Sequence, residues 1–429
     1  MNQAEFSMNC FSGPARTGWR AYALFAAAVG MLLCAGGAAS AEDDRRYDLR
    51  YTVTPVPDKE GVEVELTLEQ DRYLLREMTM DAPSSPFEQV SGDGTVSQEN
   101  GRLTWLPPRD GGSLRWFVRV SHKRDGNSYD ARMTDDWALF RGTDIIPPAR
   151  TRTLRDAASR TSLKFKLPEG WSSATQYFGR DHLYKVPNAG RRFKRPAGWM
   201  LLGRIGTRTE RIAGISVKVT GPVGQSVRRI DMLALMRWTL PHLVKLLPDA
   251  PKRLTIFSAS DGMWRGGLSG PRSIYLHADR PLISENATST LLHEIIHVAT
   301  GLNGAKGADW IVEGFAEYYS LELLRRSGTI SKKRFEDAID SLRKSGRAVR
   351  DLCGGQSTYV RTAHAVAVLY ELDQELRDGS SGRMGLDALL GELTRKETAV
   401  SLSMLRREAA ELLNEPSESL SARNLPGCK

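Results

Sequence analysis

Cysteine and histidine are scarce in this chain, at four and seven residues of 429. Any metal or nucleophile site therefore has few candidate residues, and where they cluster is the informative question. Periodicity is missing too. The 39 glycines and 20 prolines follow no period, which excludes a collagen-like or low-complexity chain, and no internal repeat is evident. With 26% charged and 41% apolar residues the chain is not intrinsically disordered, and it can build cores for two or three domains. The net charge of +9 arises from scattered basic groups, the densest being Arg191-Arg192-Phe193-Lys194-Arg195, without the stacked aromatics of a nucleic-acid surface. No nucleic-acid partner is expected.

What is present begins with a leader. Arg16 and Arg20 precede an apolar run over 21–39 that closes on Ala39-Ser40-Ala41 and then meets Glu42-Asp43-Asp44-Arg45-Arg46. This order reads as a secretory signal peptide over 1–41, with the body periplasmic or secreted; left uncleaved, the same run would be a membrane anchor. Beyond it only Cys353 and Cys428 remain. They either close a disulfide that ties the C-terminal tail to the body or stay as two unpaired thiols.

Over 42–222 the pattern has period two. Val62, Val64, Leu66 and Leu68 alternate with polar residues, as do Leu163, Phe165 and Leu167, and again Ile215, Val217 and Val219, with turn signals such as Asp93-Gly94 between runs. The spacing predicts half-buried antiparallel strands in a β-sandwich-like region, with Trp105, Trp116 and Trp137 as core aromatics. After Gly221-Pro222 the spacing becomes helical at Met232, Leu235, Met236, Leu240, Leu243 and Leu247, with a kink expected at Pro241. Short strands are expected over 254–257 and 273–276. From Thr288 the chain reads as mainly helical, including a stripe of Phe335, Ala338, Ile339 and Leu342 and a segment over 386–393. The expected fold class is multidomain α+β, with a β-rich region over 42–222, a catalytic domain over 223–328 and a helical C-terminal region over 329–429.

The chemistry gathers in Leu291-Leu292-His293-Glu294-Ile295-Ile296-His297-Val298-Ala299-Thr300-Gly301. Leu292, Ile295, Ile296 and Ala299 share a helical face, and Gly301 suits a left-handed stop. His293 and His297 then stand one turn apart and can point at one ion. Glu294 lies about 100° around from His293, near the ion but not aimed as a third ligand, which suits a base for metal-bound water. Asp309 can cap a second helix, and Glu313 follows His297 after fifteen intervening residues. A glycine-rich turn over 301–307 lets that helix pack back on the first. Glu313 then completes a two-histidine, one-carboxylate site for one Zn2+ per chain, with the fourth position left for water. A solvated helix face is the alternative, and Trp310, Ile311, Val312 and Phe315 beside Glu313 argue against it. Glu317, one turn further on, either orients a ligand histidine or faces solvent.

His293-Glu294-x-x-His297 followed by Trp310-x-x-Glu313-Gly314-Phe315-Ala316-Glu317-Tyr318 resembles the gluzincin metallopeptidases, and particularly the glycyl aminopeptidase family. Tyr359-Val360-Arg361, leading into Leu372-Asp373-x-x-Leu376-Arg377, and Phe193-Lys194-Arg195-Pro196-x-Gly198-Trp199 are similar to further segments of that family. The resemblance implies a thermolysin-like catalytic domain that hydrolyses peptides, with zinc on His293, His297 and Glu313, Glu294 as general base and Tyr359 as oxyanion donor. Thr362 stands where the family pattern has glycine. The family's substrate-amine segment corresponds to Gly266-Gly267-Leu268-Ser269-Gly270, so Gly266, Gly267 and Ser269 are expected to contact substrate. Ser269 replaces a glutamate there, and a hydroxyl supplies no charge for an ammonium group. Asp279 or Glu285 could supply that charge or be ordinary loop residues. Aminopeptidase activity is the leading expectation; an endopeptidase of the same fold and a noncatalytic envelope-binding protein are the alternatives.

Overall fold

The computed structural model describes residues 45–83, 86–188, 193–396 and 398–428. The leader expected over 1–41 lies outside them, as do Arg191 and Arg192 of the basic cluster. The rest is a mixed α+β, multidomain chain whose described residues form four sheets and eight helices.

Alternation in the first half becomes strands with one buried face. Tyr47, Leu49, Tyr51 and Val53 of strand Arg46–Val56 lie beside Val62, Val64, Leu66 and Leu68 of strand Gly61–Glu69, antiparallel with Tyr51 opposite Leu66. The other edge of Arg46–Val56 pairs in parallel with strand Ala158–Phe165, Tyr51 opposite Leu163. These belong to a seven-stranded sheet. A four-stranded sheet, containing Leu75–Asp81 and Arg102–Leu106, shares its core, where Trp105 and Trp116 are buried as expected. A third sheet, of five strands, carries Trp137–Arg141 beside Trp199–Gly203, and a one-turn helix α1 (Gly142–Ile145) follows the first of these.

The fourth sheet positions the site. Strands Ile205–Ile212 and Ile215–Pro222 form an antiparallel pair, and Ile215–Pro222 then runs parallel to Arg253–Ala259, which runs parallel to Ser273–His277. Gly267–Gly270 closes the edge antiparallel to Ser273–His277. The strands on both sides of residue 222 thus share one sheet. Trp199 joins this sheet to the β-rich half: its backbone N–H donates to Ser273 Oγ at 3.0 Å, its indole N–H to the Leu268 carbonyl at 3.0 Å, and its ring lies 5.2 Å from that of Tyr275. Gly198 before it has φ +78°, where a Cβ would strike Gln176 and Ser273.

Helix α2 (Arg229–Leu246) is continuous through Pro241 and buries Met232, Leu235, Met236, Leu240 and Leu243 against the sheet. The site helices follow, α3 (Thr290–Thr300) and α4 (Asp309–Arg326), then α5 (Lys332–Gly346), α6 (Tyr359–Gly379), α7 (Leu386–Thr394) and α8 (Leu402–Leu413). Phe335, Ala338, Ile339 and Leu342 of α5 are buried, as their spacing predicts. A polar layer fixes the far side of α4. Asp373 accepts from the Tyr318 hydroxyl at 3.2 Å and the Leu386 N–H at 2.7 Å, and buried Glu322 binds both Arg325 and Arg326. Among the described residues no helix is long and apolar enough to cross a membrane.

Cys353 and Cys428 are joined, which settles the choice between disulfide and free thiols. The bridge closes a chain separation of 75 residues and holds the segment before α6 against the C-terminal tail, beside the bonds from His364 Nε2 to the Asn424 carbonyl and from Leu352 N–H to the Pro426 carbonyl. Cys353→Ser is expected to cost about 2–4 kcal/mol of stability by freeing a loop of that length in the unfolded chain. Urea titration checks this, and an unchanged midpoint would contradict it.

Candidate metal centre and active site

Helix α3 is set by its ends and its apolar face. Ser289 Oγ accepts the Leu292 N–H at 3.3 Å, Gly301 at φ 62° closes the helix by donating to the His297 carbonyl at 3.0 Å, and Leu291, Leu292, Ile295 and Ile296 are buried. That burial turns His293 and His297 toward α4, with their Nε2 atoms 3.0 Å apart. Helix α4 presents Glu313 to both. Its Oε2 lies 3.3 Å from His293 Nε2 and its Oε1 3.4 Å from His297 Nε2. Gly314 lets α4 approach α6, since a Cβ there would come within 2.7 Å of Ala365 Cβ.

Asp309 does not cap α4. It is the first helical residue, and its carboxylate accepts the Ser357 N–H at 2.6 Å, so it fastens the segment before α6 instead. Glu317 is turned inward: its Oε2 is 2.9 Å from His293 Nδ1. With that N–H donated to Glu317, the lone pair of His293 is on Nε2, toward Glu313 and His297.

The donor set suits a divalent cation. One atom each from His293, His297 and Glu313 can be chosen so that all lie within 4.8 Å of one another. Electrostatics agree. Burial works against a charged His293, yet its bonds to Glu313 and Glu317 outweigh burial and lift its pKa to about 10. For Glu313 burial pushes upward, and the two histidines hold the carboxyl far below the usual carboxylate range. Such surroundings favour positive charge between the rings, which a bound Zn2+ would provide.

Glu294 is 7% exposed and adjoins this set from α3. Edge strand Gly267–Gly270 packs directly on it: a Cβ at Gly267 would lie 2.6 Å from Thr290 Cγ2 and 3.1 Å from Glu294 Cγ. A cavity of about 420 Å³ opens here, walled by Gly266, Gly267, His293, Glu294, Glu313, Glu317 and Tyr359. Ser269 does not join the wall. It is exposed two residues along the strand, opposite Ile274. Asp279 and Glu285 do not line the cavity either.

Tyr359 begins α6, is 63% exposed, and its hydroxyl donates to Ser345 Oγ at 3.4 Å. Thr362 bonds Ser357 through its hydroxyl at 3.0 Å and also faces the cavity. If Tyr359 donates to a developing oxyanion, Tyr359→Phe should lower kcat about 10²-fold with zinc content unchanged, as assayed by steady-state hydrolysis. A fall below tenfold would remove it from that role.

Several wall residues carry no motif in the sequence: Trp264, Arg265, Arg280, Thr290 and Ser341. Only Thr290 carried a readable signal, because it precedes Glu294 by one helical turn. His277, which carries no ligand spacing in the sequence, is buried beside the exposed carboxylates of Asp261 and Asp279 in a second cluster. There the cation is Arg265, which binds Asp261 bidentately at 2.7 and 2.9 Å, while His277 Nδ1 accepts the Asp279 N–H at 3.2 Å.

No protein-family model matches the sequence, and a search of curated proteins finds no match. Solved structures do match. An aminopeptidase N family protein from Idiomarina loihiensis superposes with a TM-score of 0.64 at 17% identity, over 85% of this chain and 78% of that one. An M1 zinc metallopeptidase from Deinococcus radiodurans, a glutamate-to-alanine mutant bound to a Tyr-Ser-Ala substrate, superposes at 0.57 with 16% identity, over 88% and 92%. A further structure of that mutant gives 0.55 with 16% identity over the same shares. The chain therefore has the fold seen in M1 aminopeptidase-like metallopeptidases.

Proposed function

We propose that this chain is an exported zinc metallopeptidase, a hydrolase of peptide bonds with a thermolysin-like catalytic domain. One observation carries the reading: His293, His297 and Glu313 converge beside a cavity that His293 and Glu313 line together with the buried carboxylate of Glu294. His293, His297 and Glu313 would hold one Zn2+. Bound there, zinc acidifies water and polarises a carbonyl. Glu294 accepts the proton of the attacking water and returns a proton to the leaving amine, and its burial keeps bulk water from competing for that role. Glu317 holds the His293 ring in its ligating orientation. Tyr359 stands at the cavity rim as donor to the oxyanion.

Export rests on the leader pattern and is in keeping with the Cys353–Cys428 disulfide, a bond that persists in oxidising compartments. The shared fold and the resemblance favour aminopeptidase-like cleavage, with Gly266 and Gly267 beside the substrate backbone. An endopeptidase is the second reading, favoured by the described cavity wall, which has no carboxylate beyond Glu294, Glu313 and Glu317 to hold a free ammonium group. Metal analysis of residues 42–429, coupled to hydrolysis of N-terminally free and blocked peptides, tests both. Stoichiometric zinc with cleavage supports the metallopeptidase, and zinc without turnover of any peptide would overturn it. Cleavage of blocked peptides selects the endopeptidase.

A further inference from the structure

Setting aside Glu294, Glu313, Glu317 and His293, the charged groups on the described cavity wall are Arg265 and Arg280. The two differ. Arg265 is neutralised by its bidentate pair with Asp261, and Asp279 lies 3.8 Å away on its other side. Arg280 is exposed, and no carboxylate pairs with it among the described residues. Its Nη2 donates to Thr290 Oγ1 at 2.9 Å, and this fixes the guanidinium against α3.

That placement has a direct geometric meaning. Thr290 precedes Glu294 by four residues, so the guanidinium is held about 6 Å up the helix from the residue beside the scissile bond. Gly267 packs against both Thr290 and Glu294 too closely to admit a Cβ, and Arg280, Thr290 and Glu294 line one continuous cavity beside it. An extended peptide advances about 3.3 Å per residue, so a group within two residues of the cleaved bond reaches Arg280. A guanidinium with one donor occupied still offers paired N–H groups that fit a carboxylate.

We propose that Arg280 is a specificity-determining residue that selects peptides carrying a carboxylate, from Asp or Glu, within two residues of the scissile bond. The assignment rests on the peptidase reading of the site and extends it to a substrate class. Arg265, already balanced by Asp261, does not share this role.

The test uses alanine-rich peptides that carry a single Asp, Asn or Lys at each position in turn, assayed for hydrolysis by the full mature chain and for binding to its Glu294→Gln variant by calorimetry. Asp peptides are expected to exceed their Asn counterparts by about tenfold or more in kcat/KM and in affinity at one position, the size of a charge-assisted hydrogen bond. Arg280→Gln is expected to bring that ratio near one, Arg280→Lys to keep part of it, and Arg280→Glu to turn it toward Lys. Asp and Asn peptides handled alike by the wild type, or a preference surviving in Arg280→Gln, would overturn the assignment while leaving the peptidase intact. Acid-selective binding that Arg280→Gln abolishes, with no cleavage by the wild type, would overturn the peptidase reading and leave Arg280 as the selector of an acidic ligand in the same cavity.

Discussion

Glu294→Gln is expected to purify with stoichiometric zinc and to lose about 10³-fold of kcat. The substitution keeps volume and packing beside Gly267, where the backbone leaves little room, and removes only the ability to take a proton. A positioned general base contributes on the order of 10²–10⁴-fold, and here the same carboxylate also serves as the acid toward the leaving amine, which places the loss near the upper half of that range. Metal content separates this from a collapsed site, because neither histidine nor Glu313 is altered. Retention of full activity would require a different base, and the described cavity offers no buried carboxylate other than those bound to histidine. That result would sink the mechanism.

Glu313→Ala should fail in the opposite order. Its two oxygens lie 3.3 and 3.4 Å from the two imidazole nitrogens, so truncation leaves two rings and no negative charge between them. Zinc is expected to be lost on dialysis and hydrolysis with it. A second readout does not depend on turnover. Zinc at about a hundred times its dissociation constant stabilises a native fold by about 2.7 kcal/mol, which raises Tm by roughly 5–10 °C in a unit of about 200 residues such as the one sharing a core from Ile212 to Leu425. The wild type should show that rise and Glu313→Ala should not. An equal rise in both proteins would mean that the ion sits elsewhere.

How far the sequence foretold this site depends on the range of each signal. Helix α3 was legible because every cue is local to eleven residues: the i, i+4 histidines, the apolar face and the left-handed Gly301. Glu313 and Glu317 were legible through their spacing from each other and the apolar residues around them. Asp309 looks like a helix cap in sequence, and its carboxylate instead answers to Ser357, which sits 48 positions away. The alternation at Ile215, Val217 and Val219 announces a strand but not its partners, and those partners, Leu254 to Phe257 across a helix, decide which sheet it enters. Arg280 is a loop charge in sequence. Only the fold brings it against Thr290. Ser269 is the opposite case: the resemblance places it in the cleft, yet it lies two residues, about 7 Å, further along the same strand face as Gly267, where it is exposed beyond the cavity wall.

The first strand has a consequence for how the protein comes to exist. Arg46–Val56 finds Gly61–Glu69 at once as a local hairpin, but its other edge is filled by Ala158–Phe165, a parallel neighbour far down the chain. A chain that emerges from its N-terminus carries that edge with its backbone N–H and C=O groups unpaired, a template for pairing with other molecules, until the later strand arrives. The contest between folding and aggregation is thus set in the β-rich half, well before helices α3 and α4 have been made.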